Sequence, residues 1–220
     1  MPVADGLYLI LGKLNRWPVR KCLCRGNEEL VPVAIVKGLA QAAHRQYVAL
    51  RDGGFAGYRL TVTGLVEQEK SYSLAELMNM PNRTQITRHD CVEGWSCIAK
   101  WTGVPLSRLL DEAKVKPQAR FVVYHCYDKM GGGLSAPEAY YESCDLIDAF
   151  HPQTILAWQM NGQPLPVAHG APLRLRVERQ LGYKQAKYIM RIELVESFAA
   201  IAGGKGGYWE DQGYEWYAGI

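Results

Sequence analysis

Apolar residues in this chain recur at every second position in short runs, and this period constrains the fold more than any other feature. Tyr58, Leu60 and Val62 alternate with Arg59, Thr61 and Thr63 before Gly64 closes the run. Successive side chains of an extended backbone point to opposite faces, so the run predicts a strand with one buried face. Thr84–His89 predicts a second strand, and Phe121–Tyr124, apolar on both faces, a strand inside a sheet. Ile155–Met160, Asn161-Gly162 and Gln163-Pro164-Leu165 predict a hairpin, because Asn-Gly supplies the positive φ angles of a tight turn. Leu173, Leu175 and Val177 alternate with Arg174, Arg176 and Glu178, which puts both arginines on one face. A last alternation sets Tyr188, Met190, Ile192 and Leu194 opposite Arg191 and Glu193. Helices are few and short. Ser73 and Glu76 form a capping box that opens one through Leu77, stopped before Pro81, and Pro105 lies in the first turn of another over 104–110. The class that follows is α+β, strand-rich, with a mixed or antiparallel sheet.

A length of 220 residues suits one compact domain. No repeat or linker divides residues 58–197. The expected boundaries are an unassigned N-terminal arm over 1–45, a domain over 46–197 and a Gly/aromatic tail over 198–220. Tyr208, Trp209, Tyr214, Trp216 and Tyr217 carry too much apolar area for a loose tail, so it is expected to dock. A composition 48% apolar and 21% charged excludes a disordered or collagen-like chain, and a net charge of +3 without Lys/Arg runs points away from nucleic acid. The best apolar runs, Leu7–Leu11 and Val31–Val36, fall far short of the ~18–20 residues of a membrane span. Arg16, Arg20, Lys21 and Arg25 follow the apolar part, which is not the order of a secretory signal. The expected location is cytoplasmic as encoded, or periplasmic if the native N-terminus differs.

Six cysteines are too few for a disulfide scaffold, and none has the paired spacing of structural zinc. Cys91 is the most suggestive: it stands at a strand end beside His89, Asp90 and Glu93, on a loop whose Gly94 allows close backbone approach. Its thiolate could be a nucleophile or a soft metal ligand, and the bland alternative is a buried structural thiol. Alternation sets Cys126 opposite His125, so one of the two faces a cavity. Arg174, Arg176, Arg179, Lys184, Lys187 and Arg191 stand against Glu178 and Glu193, a local net charge of about +4. With Gly170 and Gly182 this is either an anion pocket or a solvated face with scattered ion pairs. His169 precedes Gly170 and could donate to a heterocycle or phosphate. Gly131–Gly133 is weak evidence for phosphate binding, and Walker, GxSxG and HExxH patterns are absent.

Taken together, Arg88-His89-Asp90-Cys91-Val92-Glu93-Gly94-Trp95-Ser96 and Trp101-Thr102-Gly103-Val104-Pro105-Leu106 resemble the cofactor loop of the sulfite oxidase superfamily of molybdenum enzymes. Met160–Pro166, His169–Arg174 and Gly182–Lys187 are similar, in order and spacing, to its pterin-binding segments, so the resemblance covers roughly residues 57–197. Within the superfamily, the run over 91–96 is closer to bacterial methionine sulfoxide reductase catalytic subunits than to animal sulfite oxidases, with Glu93 the discriminating residue. The resemblance implies a mixed α+β molybdopterin domain with molybdenum held by one molybdopterin and the Cys91 thiolate. Cys91 and Glu93 are then the candidate catalytic residues. Cys126, His169, Arg174, Gln185, Ala186 and Lys187 would line the pterin and its phosphate, with Lys184 a nearby charge. No immunoglobulin-like or cytochrome b5 domain is expected, and an Asn contact from the N-terminal segment is not evident near His44 and Tyr47. The function implied is oxygen-atom transfer on a small sulfoxide- or sulfite-type substrate, with electrons exchanged with a haem protein. Two other readings use the same residues: a non-catalytic pterin- or phosphate-binding module, and a metal-free thiol enzyme using Cys91 with His89 or His125 as base.

Overall fold

The alternating runs pair into two sheets whose inner faces share the buried apolar residues. The computed structural model describes residues 45–130 and 138–220. The arm before residue 45, with His44, and the Gly131–Gly133 loop lie outside the described residues. In chain order the elements are α1 (Arg45–Asp52), β1 (Arg59–Gly64), β2 (Lys70–Ser73), α2 (Leu74–Asn79), β3 (Arg83–Asp90), β4 (Ser96–Pro105) and α3 (Leu106–Ala113). There follow β5 (Phe121–Met130), β6 (Glu138–Asp145), α4 (Leu146–Ala149), β7 (Ile155–Met160), β8 (Gln163–Pro164), β9 (Arg174–Arg176), β10 (Ile189–Val195) and α5 (Tyr208–Asp211). One sheet has the order β2-β1-β10-β5-β6; the other runs β3-β4-β7-β8, with β9 also paired to β7. β1 and β10 are parallel and the other pairs antiparallel, so the α+β, mixed-sheet expectation is met.

Leu60, Val62, Val122, Tyr124, Ile192 and Leu194 of the first sheet join Leu106, Leu109 and Leu110 of α3 in one apolar core. Ala99, Trp101, Ile155, Ala157, Met160 and Leu165 form a second cluster on the other sheet. The capping box forms as expected: Glu76 N–H donates to Ser73 Oγ (3.2 Å) and Ser73 N–H to Glu76 Oε2 (2.6 Å). The Asn161-Gly162 turn has φ of 55° and 82°, and Asn161 Oδ1 accepts from Lys100 N–H at 3.0 Å. The helix expected over 104–110 begins at Leu106, because Val104 and Pro105 still belong to β4. Near Tyr188 the alternation breaks: the ladder to β5 slips between Ile189 and Arg191, so Tyr188 and Ile189 are both buried and Met190 is not.

The tail docks. Trp216 meets Phe121 at 5.4 Å and Phe198 at 5.7 Å, and its Nε1 donates to Ser143 Oγ at 2.9 Å. Leu181 N–H donates to Ala218 O (2.8 Å) and Ile220 N–H to Arg179 O (3.1 Å). The Lys184 ammonium, wholly buried, bridges Glu142 of β6 and Glu210 of α5. Removing one partner of a buried ion group costs about 3–5 kcal/mol. Deletion of residues 204–220 removes Glu210 and uncovers Phe121, so the melting temperature is expected to fall on the order of 10 °C. Thermal unfolding followed by circular dichroism checks this; an unchanged melting temperature contradicts it.

Candidate cofactor site

Cys91 opens the loop over 91–95 that joins β3 to β4, just beyond the last pair, Asp90 with Ser96. Its N–H donates to Trp95 O (2.9 Å) and its carbonyl accepts from Gly94 N–H (3.0 Å), which turns the chain back at the sheet end. The backbone N–H groups of Glu93 and Val92 face the sulfur and favour a thiolate, while burial pushes the thiol above its ordinary value. Glu93 is exposed at the cavity rim, and its carboxylate accepts from Trp95 Nε1 at 3.1 Å. The Trp95 ring in turn lies 5.7 Å from that of His89.

His89 is buried, and its Nδ1 faces Arg176 Nη1 at 2.8 Å. A guanidinium can only donate, so Nδ1 accepts and the ring proton sits on Nε2. Burial, reinforced by Arg174 and Arg176, drives the His89 pKa down to about 2, so the ring is neutral. Gly182 makes its closeness possible: a Cβ there would sit 2.6 Å from His89 Nε2 and 3.2 Å from Asp90 O.

The six cations of the basic run separate into two groups. Arg176 is bound bidentately by Glu178 (2.9 and 2.6 Å), Arg179 by Asp148 (3.1 Å), Arg191 by Glu193 (3.0 Å) and Lys184 by Glu142 and Glu210. Arg174 and Lys187 face a cavity of about 260 Å³ that Cys91 also lines. Arg174 Nη1 donates to His169 O at 3.0 Å, and its guanidinium lies 4.8 Å from the Trp101 ring centroid, with that of Arg176 at 4.5 Å. Gly170, at φ 109°, brings both cavity cations to one turn: a Cβ there would meet Lys187 Cβ at 2.8 Å and Arg174 Cβ at 3.3 Å.

Burial and then Arg176 pull Arg174 down to about 9. Burial and then Arg174 pull Lys187 down to about 8, and the nearby Asp128 does not offset this. Burial also lifts Asp128 to about 7 and lowers His169 to about 4. Arg174, itself lowered by burial and Arg176, lowers Lys187 in turn, so an anion placed against the two is favoured.

Of the residues expected from sequence, Cys91, Glu93, His169, Arg174, Gln185 and Lys187 share this cavity. Three do not line it. Lys184 is turned away, because the 3₁₀ turn Gly182–Lys184 sends its side chain to Glu142 and Glu210. Cys126 and Ala186 are buried in the main core. Tyr47, near which an N-terminal contact was sought, donates to Ala171 O at 2.7 Å and lies in the same core. Trp101 and Tyr183, which stand within the motifs quoted above, also line the cavity, as do Asp128, Tyr140, Trp209 and Tyr214, which carried no site signal in the sequence. Four buried polar atoms there lack a hydrogen-bond partner: Arg174 Nε, Gln185 Oε1, Trp101 Nε1 and Asp128 Oδ1. A cluster of this kind calls for a polar ligand. The soft sulfur of Cys91, the unmatched donors and acceptors and the paired cations fit a molybdopterin, a heterocycle with a phosphate.

Residues 48–200 match the family model described as the oxidoreductase molybdopterin binding domain. The chain is 41% identical over 170 residues to a protein of Azospira oryzae named "Putative protein-methionine-sulfoxide reductase subunit YedZ1", covering 77% of this chain and 59% of that one. It is 37% identical over 145 residues to the protein-methionine-sulfoxide reductase catalytic subunit MsrP of Ralstonia nicotianae, covering 63% and 44%. The sulfane dehydrogenase SoxCD from Paracoccus pantotrophus superposes with a TM-score of 0.55 at 25% identity, covering 64% of this chain and 39% of that one. The chain thus spans about half the length of the curated relatives it matches. With a family match over most of the described residues and a matching solved fold, the chain belongs to the oxidoreductase molybdopterin-binding domain family of the sulfite oxidase superfamily.

Proposed function

We propose that the chain is the catalytic part of a molybdenum enzyme that moves an oxygen atom to or from a small sulfoxide- or sulfite-type substrate, receiving or releasing electrons one at a time through a haem protein. The observation that carries this reading is one cavity holding the Cys91 thiol together with the Arg174 and Lys187 cations. Molybdenum bound to one pterin would supply the two-electron oxygen exchange; for sulfoxide reduction the balance is one sulfoxide, two protons and two electrons giving one thioether and one water. Cys91 would give the metal its protein sulfur: burial raises the thiol, the Glu93 and Val92 N–H groups that face the sulfur partly offset this, and a bound cation would favour the thiolate. Arg174 and Lys187 would bind the phosphate, with His169 beside them, and Gln185 Oε1 and Trp101 Nε1 would meet polar edges of the pterin. Glu93 would act through Trp95, fixing the indole that covers His89. The word "subunit" in the names of both curated relatives supports a partner chain. Among the described residues no helix is long and apolar enough to cross a membrane.

Cys91→Ser is expected to abolish turnover while the fold and most of the pterin remain, and Cys144→Ser, in a buried β6 position outside the cavity, serves as control. Full turnover by Cys91→Ser with bound molybdenum sinks the ligand assignment. The Arg174→Met, Lys187→Met double variant is expected to lose most of its pterin, since each charge-assisted contact to a buried phosphate is worth roughly 2–5 kcal/mol. Pterin released on denaturation, measured per mole of protein beside molybdenum, decides this, and normal occupancy returns the two cations to a structural role.

Lys187 gives a pH signature. Its pKa in the folded protein, about 8, lies below the ordinary 10.5, so between those values the unfolded chain binds more protons than the folded one. Cofactor-free protein is therefore expected to gain stability as pH rises from 8 towards 10, and Lys187→Met to show a smaller gain, the remainder coming from Arg174, lowered to about 9. Chemical denaturation across this range is the check; parallel curves for the two proteins contradict it.

A further inference from the structure

We infer that the segment over 209–214 forms the substrate-facing wall of the cavity and selects neutral sulfoxides carrying an apolar group over oxyanions such as sulfite. This rests on the oxygen-transfer reading and narrows its substrate.

The cavity has two chemically different sides. Arg174 and Lys187 meet at the Gly170 turn, where the phosphate is assigned. The Gly182 turn packs against His89 and the Asp90 carbonyl, next to Cys91, and carries Tyr183 into the cavity. From Tyr183 a run of rings continues, with Tyr214 5.2 Å away and Trp209 5.3 Å beyond Tyr214. The arrangement is held from behind. Tyr183 OH donates to Glu215 O at 2.7 Å, Tyr140 OH donates to Tyr183 O at 2.7 Å, and Glu210, between the two tail rings, is fixed by buried Lys184. Trp209 and Tyr214 lie outside residues 48–200, so this wall is added to the part of the chain that matches the family model.

Among the described lining residues the cations other than histidine are Arg174 and Lys187. Residues 131–137, which follow cavity-lining Met130, contain no charged side chain. Beside Cys91 the charged group is Glu93. An oxyanion would meet a carboxylate there and compete with the phosphate for both cations. A neutral sulfoxide loses nothing to Glu93, and aromatic faces suit both its apolar group and its sulfur. Tyr214 is 40% exposed, so the ring run opens to solvent at one end, as an entrance must.

The test uses the cofactor-loaded protein and a Trp209→Ala, Tyr214→Ala double variant matched for pterin and molybdenum content. Calorimetric binding of methyl p-tolyl sulfoxide, dimethyl sulfoxide and sulfite is measured without reductant. Steady-state rates follow, with a reduced viologen dye for the sulfoxides and ferricyanide for sulfite. The wild-type protein is expected to bind the aryl sulfoxide most tightly. The double variant is expected to lose about tenfold in Kd and KM for it relative to dimethyl sulfoxide, with kcat little changed, a loss of about 1.4 kcal/mol. Trp209→Phe with Tyr214→Phe is expected to recover most of that preference, separating ring contact from a general loosening. Tighter binding of sulfite than of the aryl sulfoxide, or an unchanged preference in the double variant, overturns the inference. Preferential binding without turnover leaves the wall standing and sinks the oxygen-transfer reading; turnover with an unchanged preference does the reverse.

Discussion

The Lys184 ammonium is buried between two carboxylates, and much of the site's geometry depends on that contact. A charge removed from water must be matched closely or it unfolds its surroundings. Here the match comes from Glu142 on β6 and Glu210 on α5, which places three distant stretches of chain around one point. Burial drives Glu142 well above the ordinary carboxylate range, Lys184 works against that, and Glu210 reinforces it. With the Lys184 side chain committed to this contact, its neighbours Tyr183 and Gln185 line the cavity. The same contact holds Glu210, and so sets Trp209 in the run of rings that begins at Tyr183.

Much of the fold was legible because strand periodicity, capping and turn chemistry are local. The Ser73–Glu76 box, the Asn161-Gly162 turn and the β1 alternation were read from a few residues each and are present. β6 was not read, since it carries Glu142 and Ser143 into the interior, where a period-two rule expects apolar residues. Those polar groups are tolerable only through Lys184, Trp216 and Gly206, all far along the chain. The break at Ile189 is likewise a tertiary event, a slip in the ladder to β5.

The site divides the same way. Local motifs around Cys91, His169 and the 182–187 turn mark the residues that could hold a cofactor. Charge counting along 174–191 does not tell which cations face the cavity, because the carboxylates that draw the others away, Asp148, Glu142 and Glu210, are remote in sequence. Only the three-dimensional arrangement shows that, of this run, Arg174 and Lys187 line the cavity. The aromatic wall was invisible for a similar reason: the tail was expected to dock, but where it docks depends on Lys184 and on the stacking of Trp216 with Phe121 and Phe198.

β9 is three residues long, and it carries two guanidinium groups stacked on the single indole of Trp101. Arg176 is held by Glu178 and lowers the pKa of Arg174, whose guanidinium faces the cavity, so this short strand carries an electrostatic strain centred on Arg174. Local opening takes place where such frustration meets few ladder bonds. Backbone amides of β9 and the facing part of β7 therefore exchange with solvent sooner than those of β1, β5 and β10, which are knitted into the larger sheet. An anion that meets Arg174 closes this opening by mass action, so that filling the cavity tightens a sheet edge as well as a binding site.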